Sequence, residues 1–545
     1  MAVSSDLEVE ARRSGRSGRI EPWVFAALVV LQAIPLVALR YFPSEDGSAH
    51  VASAEILNNF HGSFAEYFRI RWFVPNLAGH LLLAGFVRLT DPVSASRIMV
   101  GLIVVALPCS VRFAVRSIRP SSVLLSYAGL PLAVNFFLHR GLYNFSLGLV
   151  LFFVIVGYWY RVRDDLSPRR ALGLGALFLI TLVDHAVPFM MAVFVVGVEA
   201  LWPVVTGVSG AAATSARRRL RAVTFAALPS LILLGTYTVL ERRGAGSRWG
   251  VGTLLANLVT FNRVLTAFNR KELVFSTLVA LVLGVLTLVN LVHTRGRSWR
   301  DPTWALMACA VIVLVAYLAL PDTDSDGGGG LTARLGFFIV AFALLWNAQF
   351  AMRAREGLVV AVALSAAAFG LLGARWSTYH AFDREVAEYV SIGHVLRPGA
   401  TLVPLNFVQD DNPPPGMQYS KSARPTLQAS GWLMAERKVV DLSHFEAYLQ
   451  FFPIAFRDGV DPKASIGNGK IWIDQSPPDV RLVGHDRAPG HPGSIDYVLV
   501  FGLRQASPEV RHAPATERVL TQLKQGYRRV AVSKPRGLVQ LYERR

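Results

Sequence analysis

Long apolar runs alternate with short polar segments over the first two thirds of the chain. Most of these runs are close to the ~20 residues that an α-helix needs to cross ~30 Å of hydrocarbon. The runs lie at 22–41, 74–90, 97–117, 121–138, 142–160, 171–184, 186–206, 220–240, 272–294, 302–320, 335–351 and 356–374. The pattern predicts a polytopic α-helical membrane protein with about 11 to 13 transmembrane helices.

The pattern changes after Arg375, where prolines, aspartates and short alternating segments replace the long apolar runs. We therefore expect a transmembrane domain at 21–375 and a small α/β soluble domain at 376–545, with its boundary near Trp376. The predicted elements of this tail are a helix over 383–395, strands at 401–405, 497–501 and 529–532, and a helix at 517–525.

Composition supports a membrane protein and excludes a nucleic-acid-binding one. Of the 545 residues, 53% are hydrophobic and only 17% charged, and the formal net charge is +18. A soluble globular chain carries about 25% charged residues. Here the arginines gather in short loops between apolar runs, where they act as a topology signal. Cys109 and Cys309 both lie inside apolar runs, so neither a disulfide framework nor a zinc site is expected from them.

The arginine-rich loops set the expected orientation. The segments 217–221, 293–300 and 353–355 fall in alternate loops and are expected to be cytoplasmic, like the N-terminal segment 1–20. The first loop, 42–73, and the soluble tail then lie on the extracytoplasmic face, which requires an odd number of spans.

Two further basic segments, 112–119 and 161–170, do not both fit this scheme. Two alternatives remain open from the sequence. Either one run between 74 and 206 is re-entrant, or Asp184 and His185 mark a break within one long span.

The first loop carries the sharpest chemical signal. Glu45 and Asp46 follow a span directly, and His50 comes four residues later, in what looks like the first turns of an interfacial helix that continues into an amphipathic segment at 51–60. In one interpretation Asp46 caps that helix and His50 lies on its polar face. In the other, a carboxylate at the membrane surface is a general base for an acceptor hydroxyl.

The first loop with its acidic pair, the many spans and the soluble C-terminal domain together resemble the GT-C superfamily of bacterial membrane glycosyltransferases. The segment from Asp46 to His50 is similar to the Asp-x-Pro-x-His pattern of many bacterial members, with Ser48 where proline is usual. The resemblance implies an inverting hexosyl- or pentosyltransferase of the bacterial inner membrane, active in cell-envelope polysaccharide biosynthesis. Its catalytic carboxylate would be Asp46, with Glu45 as the adjacent alternative.

The same resemblance implies a donor sugar on a polyprenyl phosphate and a glycan, lipid or protein acceptor, within surrounding membrane lipids. The leaving phosphate requires fixed cations or polar groups. The residues that we expect to bind substrate or phosphate are His50, Arg71, Asp184, His185 and Arg334.

Each of these candidates has a structural alternative. Arg71 lies next to aromatic residues and is equally suited to anchoring at the membrane interface. Asp184 within an apolar stretch indicates function, yet it is also placed to cap the following span. Arg334 at the start of a span either snorkels to the surface or lines a cavity.

Two sets of residues leave open the possibility that the protein binds a divalent cation. Asp322, Asp324 and Asp326 reproduce the start of an EF-hand calcium loop, but Ala333 occupies the twelfth position, where the bidentate Glu belongs. Simple solvation of an acidic loop is the alternative. The second set, Asp46 and His50 with Asp184 and His185, would bind a metal only if folding brought them together.

Two other polar segments are assigned lesser roles. The turn from His139 to Phe145 is interpreted as structural, and Ser443 to Glu446 as surface or acceptor recognition at best. Outside the enzyme class, a transporter or flippase of lipid-linked precursors and a non-catalytic membrane scaffold remain alternatives.

Overall fold

A computed structural model describes residues 20–207, 209–240, 247–322, 329–408, 417, 420, 422–484 and 494–545. Within them, eight helices are long and apolar enough to cross a membrane, and three shorter apolar helices accompany them. The helices before the tail are α1 (Ile20–Ala38), α2 (Gly47–Asn58), α3 (Gly62–Tyr67), α4 (Leu77–Leu89), α5 (Pro92–Ile118), α6 (Pro120–His139), α7 (Tyr143–Val162), α8 (Pro168–Asp184), α9 (Ala186–Val205), α10 (Gly210–Leu240), α11 (Val251–Thr260), α12 (Glu272–His293), α13 (Trp304–Ala319), α14 (Leu331–Asn347) and α15 (Ala354–Val390).

The outer faces of these helices are apolar. Val37, Phe225, Val274 and Leu288 are each at least 64% exposed. A soluble protein rarely exposes so many large apolar side chains on neighbouring helices, whereas hydrocarbon solvates them. The predicted polytopic membrane architecture is confirmed.

Asp184 and His185 lie between two helices that pack against each other. Helix α8 ends at Asp184, His185 has an extended backbone, and α9 begins at Ala186. Both helices also pack against α7 and α10. The pair therefore does not interrupt one long span. The cap of α9 is His185, whose Nδ1 accepts the Val187 N–H at 3.1 Å, so the expectation that Asp184 supplies the cap is wrong.

The tail contains one five-stranded sheet. The described strands are β1 (Phe68–Ile70), β2 (Thr401–Asn406), β3 (Val440–Asp441), β4 (Ile454–Phe456), β5 (Tyr497–Phe501), β6 (Tyr527–Val532) and β7 (Val539–Arg544), and the tail helices named below are α16 (Ser430–Arg437) and α17 (Pro514–Gly526). The order of the sheet is β3-β2-β5-β7-β6, with β2 parallel to both neighbours and with β7 antiparallel to β5 and β6. The three predicted strands and the predicted helix at 517–525 are confirmed.

Helix α15 crosses the predicted domain boundary without interruption. It continues through Trp376 to Val390, and a 3₁₀ turn at Ser391–Val395 then leads into β2. Near its end, Glu388 accepts bonds from Ser533 and from Arg536 of the tail at 3.0 Å each. One rigid helix thus joins the membrane region to the sheet.

The tail covers the first loop. Strand β1 of that loop pairs antiparallel with β4 of the tail, with Arg69 opposite Ala455. All ten residues from Gly47 to Ile56 of α2 are buried, and α16 packs on them. The helix expected after the acidic pair is present as α2, and the tail buries it over Gly47–Ile56. One continuous apolar core includes α2, α4, α5 and the sheet.

Candidate active site

The turn between α6 and α7 holds the acidic pair of the first loop in place. The His139 carbonyl accepts the Glu45 N–H at 2.8 Å, and the Arg140 carbonyl accepts the Asp46 N–H at 3.1 Å. A β-carbon on Gly141, which has φ +79°, would lie 2.5 Å from the Asp46 backbone nitrogen. Only glycine fits this approach, so the turn interpreted as structural from sequence is part of the site.

Glu45 is buried and paired with cationic and polar groups. Its side chain is 2% exposed, and Oε1 lies 2.7 Å from the Arg140 guanidinium. The Arg424 N–H donates to Oε2 at 2.7 Å. These contacts surround the Glu45 carboxylate with a guanidinium and a backbone N–H donor directly beside Asp46.

Asp46 is placed at the start of α2, but its side chain forms no cap on that helix. The pKa of Asp46 is raised to about 8, chiefly by burial and then by the charge of Glu45; Glu446 also raises it, while the charges of Arg140 and Arg424 oppose these effects. An acid with a pKa in this range accepts a proton near neutral pH, which is what a general base requires. The geometry thus disfavours the capping interpretation.

A buried cluster of His50, His80 and Glu446 lies one turn further along α2. Nδ1 of His50 is 2.8 Å from Glu446 Oε1, and Nε2 of His80 is 3.1 Å from Glu446 Oε2. The two facing ring nitrogens are 3.0 Å apart. Burial raises the pKa of Glu446, but the two histidines more than offset it and hold that pKa well below its usual range.

Ser53 and His444 extend this cluster. The Ser53 hydroxyl donates to Glu446 Oε2 and lies 2.9 Å from His444 Nε2. Burial lowers the pKa of His444. The assignment of Ser443 to Glu446 to the surface is wrong, because the tail folds this segment against α2 and buries it. His80 and Glu446 were missed as site residues; the sequence signals were a histidine inside an apolar run and an acid beside His444.

Asp184, His185 and Arg334 come together on the membrane side of this cluster. A β-carbon on Gly79, next to His80, would lie 3.2 Å from Asp184 Oδ1. The His185 ring is 5.2 Å from that of Phe145, and the Arg334 guanidinium lies 5.6 Å from the same ring. These residues border the site, and the metal set of Asp46, His50, Asp184 and His185 is not formed: His50 contacts His80 and Glu446 instead.

Arg71 and Asp322 have other partners. The Arg71 guanidinium donates to the Leu449 carbonyl at 2.9 Å, which connects the first loop to the tail. Asp322 accepts hydrogen bonds from the Thr332 N–H at 2.9 Å and from the Trp249 indole at 2.7 Å. These bonds connect Asp322 to the start of α14 and to the segment before α11. Asp324 and Asp326 lie outside the described residues.

Arg263 is a cation near the site that sequence reasoning did not select. It lies in the loop between α11 and α12, lines a small cavity with Trp249 and Tyr317, and stacks on Trp249 at 4.2 Å. Burial lowers the pKa of Arg263; Asp322 raises it, and the nearby charge of Arg140 lowers it further. Guanidinium groups bind anions through paired N–H donors, so Arg140 and Arg263 are candidate anion-binding groups.

The loop that carries Arg263 is held by a buried ion pair. Glu272 accepts the N–H groups of Ala267 and Phe268 at 2.8 Å each. The Arg375 Nε of α15 binds the same carboxylate at 2.8 Å. This pair fixes the loop against the helix that continues into the tail.

Comparisons with known proteins agree with this architecture. No protein-family model and no curated protein matches the sequence. Among solved structures, the chain is similar to the crystal structure of ArnT from Cupriavidus metallidurans in the apo state, with a TM-score of 0.51, 11% identity, and coverage of 97% of this chain and 98% of that one. ArnT is a GT-C glycosyltransferase, so the chain has the GT-C fold that the sequence resemblance predicted. Its helices and this fold make it an integral membrane protein.

Proposed function

We propose that this chain is an inverting glycosyltransferase that moves a sugar from a polyprenyl-phosphate donor to a hydroxyl of a glycan, lipid or protein, with Asp46 as general base. The supporting observation is a buried carboxyl whose pKa is raised to about 8 beside the Glu45–Arg140 ion pair. ArnT, which shares the fold, is an undecaprenyl-phosphate-aminoarabinose transferase. The proposal places the site and the tail on the extracytoplasmic side of the bacterial inner membrane.

In this reaction Asp46 takes the proton of the acceptor hydroxyl. The acceptor oxygen then forms a bond to the anomeric carbon while the bond from that carbon to the phosphate oxygen breaks, and the polyprenyl phosphate leaves with the electron pair. Attack from the side opposite the leaving group inverts the configuration. The Glu45 carboxylate lies 2.7 Å from the Arg140 guanidinium and keeps Arg140 in position.

Arg140 and Arg263 are the cations that we assign to the leaving phosphate. Both are partly buried, and the charge of Arg140 contributes to lowering the pKa of Arg263. A guanidinium binds phosphate oxygens through two parallel hydrogen bonds, which suits the charge that develops as the phosphate leaves. Arg334 and His185 lie further toward the membrane helices and are assigned to the donor lipid side.

The test is sugar transfer by the purified full-length protein in liposomes, with a panel of polyprenyl-phosphate hexoses and pentoses. Asp46→Asn is expected to lower the transfer rate by about 100- to 10,000-fold, the usual contribution of a general base. Glu55→Gln is the matched control, because Glu55 is a buried acid of the same helix that contacts Asn59 and Lys438 instead.

Two results would contradict the proposal. Transfer by Asp46→Asn at the rate of the unmodified protein removes Asp46 as the base. Movement of the lipid-linked sugar between leaflets without transfer to any acceptor indicates the flippase alternative.

A further inference from the structure

Three polar side chains lie on one face of α15, where this helix passes the predicted boundary of the membrane region. Arg375, Tyr379 and Asp383 are spaced four residues apart, and residues with this spacing share one face of an α-helix. Arg375 and Tyr379 are buried, and Asp383 is partly buried. All three make hydrogen bonds to segments that lead to residues assigned to sugar transfer.

Arg375 fixes α15 against the segment that precedes the turn between α6 and α7. Helix α6 is interrupted at Val134, whose carbonyl oxygen is therefore available to a side chain and accepts from Arg375 at 2.6 Å. The same guanidinium donates to the Leu265 carbonyl in the loop that carries Arg263. The next turn of α15 is thus held close to the acidic pair.

Tyr379, in that next turn, reaches the acidic pair through the ring of His139. The Pro43 carbonyl oxygen can only accept, so His139 Nδ1, which lies 3.0 Å from it, carries the hydrogen. Nε2 of the neutral ring then accepts from the Tyr379 hydroxyl at 3.0 Å. The carbonyl of the same histidine accepts the Glu45 N–H at 2.8 Å. One tyrosine hydroxyl therefore orients the residue that binds the first loop at two points.

Asp383 binds the first loop at its start. Its Oδ1 accepts the Tyr41 N–H at 2.7 Å. The Tyr41 ring packs on Trp432 of α16, with the two ring centroids 5.2 Å apart. The chain from Tyr41 to Asp46 is thus held by hydrogen bonds at every one or two residues, and α15 supplies or orients the groups that make the first of them.

We propose that Tyr379 and Asp383 are positioning residues for Asp46. The inference rests on the proposed sugar transfer, in which the base must lie within hydrogen-bond reach of the acceptor hydroxyl. Neither residue has to touch a substrate. They act through the backbone of the first loop, which they hold so that the Asp46 carboxylate stays in its buried place beside Glu45.

The first test compares Asp383→Ala with Asp383→Asn in the liposome assay of sugar transfer. Asparagine keeps an oxygen that accepts the Tyr41 N–H, and alanine removes it. Asp383→Asn is expected to retain the kcat of the unmodified protein. Asp383→Ala is expected to lower kcat by about 2- to 10-fold, the effect of one hydrogen bond. Equal kcat for the two variants overturns the positioning role of Asp383.

The second test is Tyr379→Phe, with Tyr527→Phe as the matched control. Tyr527 is a buried tyrosine of the tail whose hydroxyl donates to the Leu482 carbonyl at 2.9 Å, so both variants lose one buried hydrogen bond. Tyr379→Phe is expected to lower kcat by about 2- to 10-fold relative to the control. It should also move the midpoint of the pH–rate profile to lower pH, because a loosened first loop admits water to Asp46 and reverses part of the effect of burial.

The midpoint separates positioning from a loss of folded protein. Fewer folded molecules scale the whole pH–rate profile and leave its midpoint in place. A midpoint equal to that of the unmodified protein, or a kcat equal to that of Tyr527→Phe, overturns the positioning role of Tyr379.

Hydrogen exchange of the backbone amides tests the same inference without sugar transfer. The amides of Tyr41, Glu45 and Asp46 are hydrogen-bonded, so their exchange reports how firmly the first loop is held. In Tyr379→Phe and Asp383→Ala, peptides covering 39–50 are expected to exchange faster, while peptides covering 497–501 keep their protection. Unchanged exchange of the first loop overturns the inference. Faster exchange in a protein that transfers no sugar supports the anchoring by α15 and contradicts the proposed function instead.

Discussion

Asp46 and Glu45 are adjacent carboxylates whose surroundings give them opposite properties. Glu45 lies against Arg140 and the Arg424 N–H, which favour its charge. Asp46 is buried beside that charge, and its pKa is therefore raised to about 8. Different surroundings thus give the two adjacent acids different roles, Glu45 in an ion pair and Asp46 as the group that exchanges a proton.

A pH profile of sugar transfer follows from this separation. The base must be ionised, and its pKa is raised, so the rate is expected to increase with pH through about 8 and to level off above it. A rate that is flat between about pH 6 and 9 would contradict the assignment of Asp46 as the base.

Arg263 gives a second prediction at this scale. Arg263→Gln is expected to lower kcat/KM for the polyprenyl-phosphate donor by about 10- to 100-fold, because a charge-assisted hydrogen bond contributes about 1.5–3 kcal/mol. The matched control is Arg270→Gln, an exposed arginine of the same loop. Equal donor kinetics for the two variants would exclude Arg263 from phosphate binding.

Sequence reasoning identified some of these residues and missed others for a physical reason. Asp46 stands out because charged residues are rare next to a span. His80 lies inside an apolar run, where an isolated histidine carries no signal of its own. Glu446 is separated from His50 by nearly four hundred positions, so only the fold brings them to 2.8 Å.

At the scale of elements, α2 is the contact between the membrane region and the tail. Its buried surface packs on α16, and Ser48 Oγ donates to the Gln428 carbonyl at 2.5 Å. The helix carries Asp46 at its start and His50 one turn later. Movement of α16 would therefore displace both the proposed base and His50.

Gly431 tests this contact. A β-carbon there would lie 2.5 Å from the Ser48 carbonyl oxygen and 2.9 Å from the Ala49 backbone nitrogen. Gly431→Ala forces the two helices apart and is expected to destabilise the protein by about 1–3 kcal/mol. The readouts are Tm and transfer rate, and both should fall.

The control for this variant is Gly85→Ala in α4, where an added β-carbon meets no atom within 4 Å. Alanine favours a helix over glycine, so this change is expected to be neutral or slightly stabilising. If Gly431→Ala behaved like Gly85→Ala, the close packing of α16 on α2 would be contradicted.

Elements differed in how well the sequence predicted them. Strands β2 and β5 are buried on both faces and therefore appear as short apolar runs. Strands β1 and β4 have three residues each, and pair the first loop with the distant tail. Their local sequence does not distinguish them from loops, because each strand pairs with a segment nearly four hundred residues away in the sequence.

At the scale of the whole molecule, the tail shares its apolar core with the membrane region. Leu402, Val440 and Leu499 of the sheet belong to the same apolar cluster as Val51 of α2 and Leu83 of α4. Composition placed a boundary near Trp376 because charged and polar residues increase there. Composition does not indicate which surfaces of the membrane region the tail covers. Helix α15 also continues through the predicted boundary at Trp376 as one helix.

This shared core predicts that residues 391–545 will not fold alone. Without the first loop, β4 loses its partner β1, and the face of α16 that packs on α2 meets water. The isolated segment is expected to bind hydrophobic dyes and to melt without a cooperative transition, as measured by circular dichroism and calorimetry. Joining residues 42–73 to the segment through a flexible linker should restore part of the cooperativity, because that loop supplies β1 and α2. A sharp cooperative transition of the segment by itself would show that the tail is an independent domain and that its contacts with the first loop are secondary to its stability.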